Sequence, residues 1–187
     1  MAGACTNRTV QPRIDITTLT GETSTIEALS DLLVETVAAG GSVSFMHPLP
    51  PAEAADFWQG WLAAAARGER LVLGAWIGGA LAGTLSLVLD GPPGQRHRAE
   101  IAKLMTRVSH RGRGVARALM IAAEAAANER GRTLLNLDTA VEDGAAGLYE
   151  GLGFERAGVL PDYAFKPQGG LTGTILYWKR IGGTAAG

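Results

Sequence analysis

The segment with the clearest chemical meaning is Arg111-Gly112-Arg113-Gly114-Val115-Ala116, which the surrounding pattern places between a strand and a helix. The first N–H groups of a helix lack acceptors and the positive end of its dipole lies there, so such a turn can hold a diphosphate. Gly112 and Gly114 let the backbone approach phosphate oxygens closely, and Arg111 and Arg113 add charge-assisted hydrogen bonds. Other phosphate-binding patterns fit poorly. No Gly-Lys-Ser/Thr follows, which excludes a Walker A loop. A dinucleotide fingerprint begun at Gly112 and Gly114 needs a third glycine at Arg117, and Asp138 lies 24 residues past Gly114, across a full helix.

The elements that must position this turn follow from periodicity. Residues 1–12 read as a flexible tail, Arg13–Leu19 as a short strand and Glu22–Ala39 as a helix with Ile26, Leu29, Leu33 and Val37 on one face. A loop over Gly41–Pro51 carries Phe45 and Met46, and a second helix spans Pro51–Gly68. Leu71–Leu89 carries no charge and has the length of a membrane span. Gly78-Gly79 divides it into two strand-length runs, and Leu81, Leu85, Leu87 and Leu89 alternate with Ala82, Thr84 and Ser86, which predicts a hairpin instead. After Gly91-Pro92-Pro93-Gly94 come a strand over Arg98–Arg107, the glycine-rich turn, and a helix to Arg130 closed by Gly131. That helix directs Val115, Leu119, Ala122 and Ala126 to the sheet, and Arg113, Arg117, Glu124 and Asn128 to water. Thr133–Asp138 reads as a buried strand, Gly144–Gly151 as a short helix, and Phe154–Val159 and Thr174–Lys179 as strands before a second tail at 182–187. The order β-α-α-β-β-β-α-β-α-β-β predicts one α/β domain over 13–181 with a mixed sheet.

Composition narrows the function classes. A chain of 187 residues with 47% hydrophobic and 19% charged residues suits one globular domain. A net charge of −1 without a run of Lys or Arg gives no case for nucleic acid or an anionic membrane. The lone Cys5 cannot pair within the chain, and His47, His97 and His110 lack metal-ligand spacing, so no metal site is expected. The start has neither a positive n-region nor an apolar stretch, and a cytoplasmic location is expected.

Arg111-x-x-Gly114-x-Ala116 after a strand resembles the acyl-CoA diphosphate motif of the GCN5-related N-acetyltransferases. That family also expects Leu-Tyr-x-x-x-Gly-Phe after the next buried strand, found here as Leu148-Tyr149-Glu150-Gly151-Leu152-Gly153-Phe154. A closer likeness, over about residues 33–180, is to the tabtoxin-resistance type of acetyltransferase. It rests on Glu35-Thr36-Val37, Gly41-Ser42-Val43-Ser44-Phe45-Met46, Arg98-Ala99-Glu100, Lys103-Leu104-Met105, Leu137-Asp138-Thr139 and Leu160-Pro161-x-Tyr163. The resemblance implies a single-domain, mostly antiparallel sheet of six to seven strands flanked by helices and splayed between two central parallel strands. It also implies direct transfer from acetyl-CoA to a primary amine of a small, amino-acid-like or toxin-like molecule, with toxin resistance as the setting and a homodimer as a common assembly. Many relatives have Asn seven residues before the tyrosine; here that residue is Glu142, and the contact is not carried over.

The resemblance implies roles for single residues. Leu104, Met105 and Thr106 would offer backbone groups to the pantetheine arm and the developing oxyanion, and Arg111, Gly112, Arg113, Gly114, Val115 and Ala116 would hold the diphosphate. Tyr149 would touch the cofactor and act as general acid toward the departing thiolate. An ammonium has no lone pair, so the acceptor needs a base at neutral pH. Glu100 takes that role by its place six residues before Thr106, and Asp138 competes for it as the polar end of Leu134-Leu135-Asn136-Leu137. Either carboxylate has an ordinary alternative: Glu100 can pair with Arg98, Arg107 or Lys103, and Asp138 can cap the following loop. Phe45, Met46, Trp76 and Tyr163 are candidates for the acceptor pocket or for core packing. Two rival functions stay open: acetylation of a protein N-terminus or lysine, and a non-catalytic acyl-CoA sensor.

Overall fold

The computed structural model describes residues 13–182. The tail over 1–12 with Cys5, and all of the 182–187 tail beyond Gly182, lie outside them. The elements run β1 (Asp15–Thr18), α1 (Thr23–Ala38), α2 (Pro51–Ala66), β2 (Arg70–Ile77), β3 (Ala80–Val88), β4 (Arg98–Thr106), α3 (Val115–Glu129), β5 (Leu134–Ala140), α4 (Ala146–Glu150), β6 (Glu155–Phe165) and β7 (Leu171–Arg180). They build one seven-stranded sheet in the order β1-β2-β3-β4-β5-β7-β6. Only β4 and β5 pair in parallel; the other neighbours are antiparallel.

The two faces of the sheet are covered by different helices. On one face Leu85, Leu87, Ala99, Ile101, Leu135 and Leu137 pack with Val115, Leu119, Met120, Ala123 and Ala127 of α3, and with Tyr149 of α4. The buried stripe of α3 is turned slightly from the predicted one: Ala123 and Ala127 are fully buried, whereas Ala122 and Ala126 are only partly so. Gly83 lets α3 approach closely, because a Cβ there would lie 2.7 Å from the Met105 carbonyl oxygen and 2.8 Å from Val115 Cγ1. On the other face Leu29, Leu32, Leu33 and Val37 of α1 and Trp58 and Leu62 of α2 cover Val72, Leu81 and Met105.

The uncharged segment forms the hairpin, with Gly78 and Gly79 at φ 59° and 82°, as a two-residue turn of this kind requires. No described helix is long and apolar enough to cross a membrane. Its side-chain alternation departs from prediction. The register passes from Ala75↔Gly83 to Trp76↔Leu81, so Ala82 is an extra residue that sends Leu81 to the α1/α2 face, opposite Leu85 and Leu87. One inserted residue inverts a period-two pattern.

Two irregularities shape the centre. Between Thr84↔Met105 and Ser86↔Ala102, Lys103 and Leu104 oppose the single residue Leu85, and Lys103 sits at φ 53°. The β4–β5 ladder covers only Arg98↔Leu134, Ala99↔Leu135 and Glu100↔Asn136. Beyond Glu100 and Asn136 the two strands run on unpaired with each other, leaving a gap in the middle of the sheet. β6 is longer than expected: it passes through Pro161 and Asp162, the latter at φ 50°, by register shifts that an edge strand tolerates.

Candidate active site

The gap opens into a cleft of about 870 Å³. Its walls include the stretch of β4 from Ile101 to Thr106 that does not pair with β5, Leu137–Thr139 of β5, Tyr149, Arg111 and Ala116, and the Gly40–Ser44 stretch between α1 and α2. The sequence therefore places most of its candidate groups around one opening.

At one mouth stands the glycine-rich turn. Gly112 and Gly114 adopt φ 72° and 82°, which L side chains rarely adopt, and no heavy atom lies within 4 Å of where a Cβ would stand. Gly114 is the residue preceding α3, and no side chain caps the helix there. Its first N–H groups are therefore free for an oxygen-rich ligand. Arg111 and Arg113 are exposed. The turn is anchored from behind: Arg107 Nη1 donates to Glu35 Oε2 at 2.7 Å, the Val108 N–H donates to Glu35 Oε1 at 2.7 Å, and Arg107 Nε donates to the Leu81 carbonyl at 2.8 Å. Arg107 is thus engaged by Glu35, not by Glu100.

Tyr149 lies on the α3/α4 side, 6% exposed, against Phe154 and Tyr177. Burial, opposed by a hydrogen bond with the Thr139 side chain, pushes its phenol up to about 12. It is therefore protonated at neutral pH and has a proton to give.

The carboxylates occupy the opposite face. Arg70, Val88, Glu100 and Asn136 stand in one cross-strand row, and Asp138 shares that face two residues beyond Asn136. Glu100 has Arg98 as its nearest cation, at 3.8 Å from Nη1 to Oε2. Asp138 Oδ2 accepts from Thr174 Oγ1 at 3.0 Å, and Asp138 falls inside β5, which continues to Ala140, so it caps nothing. Between them Lys103 Nζ donates to the Val43 carbonyl at 2.8 Å and to Ser44 Oγ at 3.3 Å. Burial draws the Lys103 ammonium below the usual lysine range, while the charges of Asp138 and Glu100 oppose that shift.

A smaller cavity of about 290 Å³ adjoins Asp138, walled by Ser42, Ser44, Phe45 and Met46 on one side and Tyr163, Phe165 and Thr174 on the other. Next to Met46, the His47 N–H donates to the Pro167 carbonyl at 2.8 Å and ties the α1–α2 loop to the segment after β6. Phe45, Met46 and Tyr163 thus line one cavity. Trp76 does not join them: its indole N–H donates to Thr17 Oγ1 at 2.8 Å and the ring packs beside the α1/α2 core, away from both cavities. Sequence reasoning gave no role to Phe165, Thr174, Trp61 or Arg70, and treated Lys103 only as a partner for Glu100. Arg70 had a legible signal, a charge at the start of the apolar run Leu71-Val72-Leu73. Among the described residues no cluster of His, Cys, Asp and Glu is suited to a metal ion.

With this geometry in place, the comparisons decide the family. The sequence profile described as "Acetyltransferase (GNAT) family" matches residues 34–154. The chain belongs to that family. Among curated proteins, rat N-acetyltransferase 8 is 33% identical over 90 residues, which is 46% of this chain and 40% of that protein. The chain thus matches well under half the length of that relative. Among solved structures, yncA of Salmonella typhimurium with its cofactor acetyl-CoA superposes with a TM-score of 0.79 at 18% identity, covering 94% of this chain and 98% of that one. The ribosomal-protein-alanine N-acetyltransferase of Brucella melitensis gives a TM-score of 0.75 at 22% identity, covering 89% and 99%. These likenesses establish the GNAT fold, and the parallel β4–β5 pair with its gap is the centre of that fold in this chain.

Proposed function

We propose that the protein transfers an acetyl group from acetyl-CoA to the primary amine of a small molecule, with both bound in one complex. The observation that carries this reading is the gap between β4 and β5, with a phosphate-competent turn at one mouth, protonated Tyr149 on one face and two carboxylates on the other.

The residues present fit acetyl-CoA. The open turn from Arg111 to Ala116 would hold its diphosphate, and the edge of Leu104, Met105 and Thr106 towards β5, where β4 has no strand partner, would hydrogen-bond its extended arm. Bound acetyl-CoA supplies an activated acyl group. An N–H at the end of β4 stabilises negative charge on the acyl oxygen, a contribution typically of about 3 kcal/mol. Glu100 or Asp138, directly or through water, takes the proton from the acceptor ammonium. Tyr149 donates to the leaving sulfur from the other face. Because a thiol of pKa about 8.5 leaves readily, this last role accelerates the reaction without being indispensable.

The acceptor would approach from the Asp138 cavity and the α1–α2 loop. A small amine, such as the amino-acid-like or toxin-like acceptors of the tabtoxin-resistance type, suits a cavity of about 290 Å³. The test is acetyl-CoA turnover with free amino acids, simple amines and short peptides, read as CoA release and as a 42-dalton gain on the product (roughly the mass of an acetyl group replacing hydrogen). Acetylation of small amines supports the reading. Exclusive acetylation of peptides would move the acceptor to protein N-termini or lysines, as the name of the Brucella neighbour suggests for that enzyme. Acetyl-CoA binding without turnover of any amine would leave only a sensor.

A further inference from the structure

The main cleft does not stop at the carboxylates. It continues along the α1/α2 face past Glu100 to Val88, Arg70 and Trp61. Arg70 begins β2 with a side chain only 13% exposed, and its guanidinium lies 3.9 Å from the centre of the Trp61 ring. The indole is itself fixed, its N–H donating to Ser86 Oγ at 2.8 Å.

The charge of Arg70 is poorly answered. Its Nε has no hydrogen-bond partner among the described residues. Among the described residues the one carboxylate within salt-bridge range, Glu69, stands 3.9 Å away and is already gripped by Arg67 through two hydrogen bonds, at 2.5 and 2.9 Å. A guanidinium removed from water needs a partner, and its planar fork matches a carboxylate better than any other small group. Stacking on Trp61 holds that fork in place and leaves its demand for oxygen acceptors unmet.

We propose that Arg70 anchors an acidic group of the acceptor, so that the protein acetylates amines that also carry a carboxylate. This rests on the acetyl-transfer reading above and adds the chemical class of its substrate. Arg70 and Glu100 share a cross-strand row two strands apart, about 10 Å between backbones. A zwitterion of amino-acid size presents its ammonium to Glu100 and Asp138 and its carboxylate to Arg70. Lys103 does not replace Arg70 in this role, because its ammonium is engaged by the Val43 carbonyl and Ser44.

The test compares acceptors that differ only by the carboxylate: β-alanine, γ-aminobutyrate and L-lysine against ethylamine, propylamine and cadaverine. Each is titrated into CoA-saturated protein and assayed for acetylation, with wild type, Arg70→Met and Arg70→Lys. The expected wild type binds the acids and prefers them at least tenfold in kcat/KM over their decarboxylated partners. In Arg70→Met that ratio collapses at least tenfold through KM of the acids, and Arg70→Lys recovers only part of it. Acetyl-CoA affinity, measured on each variant, reports an intact fold. Equal preference for acids and plain amines, no binding of any acid, or an Arg70→Met effect of the same size on both sets would overturn the proposal. Failure of acetyl-CoA itself to bind wild type would instead sink the acetyl-transfer reading.

Discussion

The two faces of the sheet build their halves of the site in different ways. The proposed donor half, on the α3/α4 face, comes mainly from one contiguous stretch, the end of β4, the turn at 111–116 and the start of α3, joined by Tyr149 from α4 after β5. The proposed acceptor half gathers Phe45 from the α1–α2 loop, Arg70 from β2, Glu100 and Lys103 from β4, Asp138 from β5, and Tyr163 and Phe165 from β6. A site encoded locally is defined by backbone geometry and binds a group common to many proteins. A site assembled from distant segments is defined by side chains, and that is where one family member can differ from another.

Substitutions can break this division, starting with the largest expected effect. Replacing both carboxylates, Glu100→Gln with Asp138→Asn, should lower kcat by about 10²–10⁴ while leaving the acetyl-CoA dissociation constant within about threefold. The single variants show which one is the base: its loss gives a rate that climbs with pH toward the pKa of the amine. A matching loss of acetyl-CoA affinity would show that the two halves are not separable.

Tyr149→Phe should slow turnover by about tenfold at neutral pH. The phenol also leaves a signature in stability. Its folded pKa of about 12 exceeds the ordinary value of 10, so the fold prefers the protonated form. That preference is fully present below pH 10 and is lost as pH rises from 10 to 12, a swing of roughly 2–3 kcal/mol. Urea denaturation should therefore show wild type losing stability relative to Tyr149→Phe across that window; parallel curves would contradict the buried phenol.

Lys103→Met should act on the acceptor half alone. Without the ammonium that ties β4 to Val43 and Ser44, the loop bearing Phe45 loosens, and acceptor KM should rise several-fold more than kcat falls. The smallest effect belongs to Trp76→Phe. It removes the hydrogen bond to Thr17 and should cost about 1 kcal/mol in stability with no change in either KM. A kinetic effect there would return Trp76 to the acceptor pocket.

The same division explains what could be read from sequence. Gly112 and Gly114, the Gly78-Gly79 turn and the order of elements are local signals, and each lies where periodicity and turn chemistry place it. Asp138 was legible as a candidate because a carboxylate closing an apolar run stands out, whereas Glu100 came only through the family resemblance, by its place six residues before Thr106. Leu81 faces the opposite side from Leu85 because of the extra residue Ala82, and the Lys103–Leu104 bulge re-aims the end of β4. A bulge depends on the partner strand, and one strand's sequence does not report it. Trp76 and Arg70 show the same limit from two sides: an aromatic residue that satisfies Thr17 instead of a ligand, and an arginine whose position in the cleft emerges only when α2 folds over β2.

The most direct test of the central claim is calorimetric titration of acetyl-CoA into wild type and into the Arg111→Ala/Gly114→Glu double variant, with thermal melting to verify that both are folded. The account predicts binding to wild type that weakens at least 100-fold in the variant, a loss of about 2.8 kcal/mol or more. A folded wild type that fails to bind acetyl-CoA, or a variant that binds it as well, would contradict the assignment of this turn and of the gap behind it.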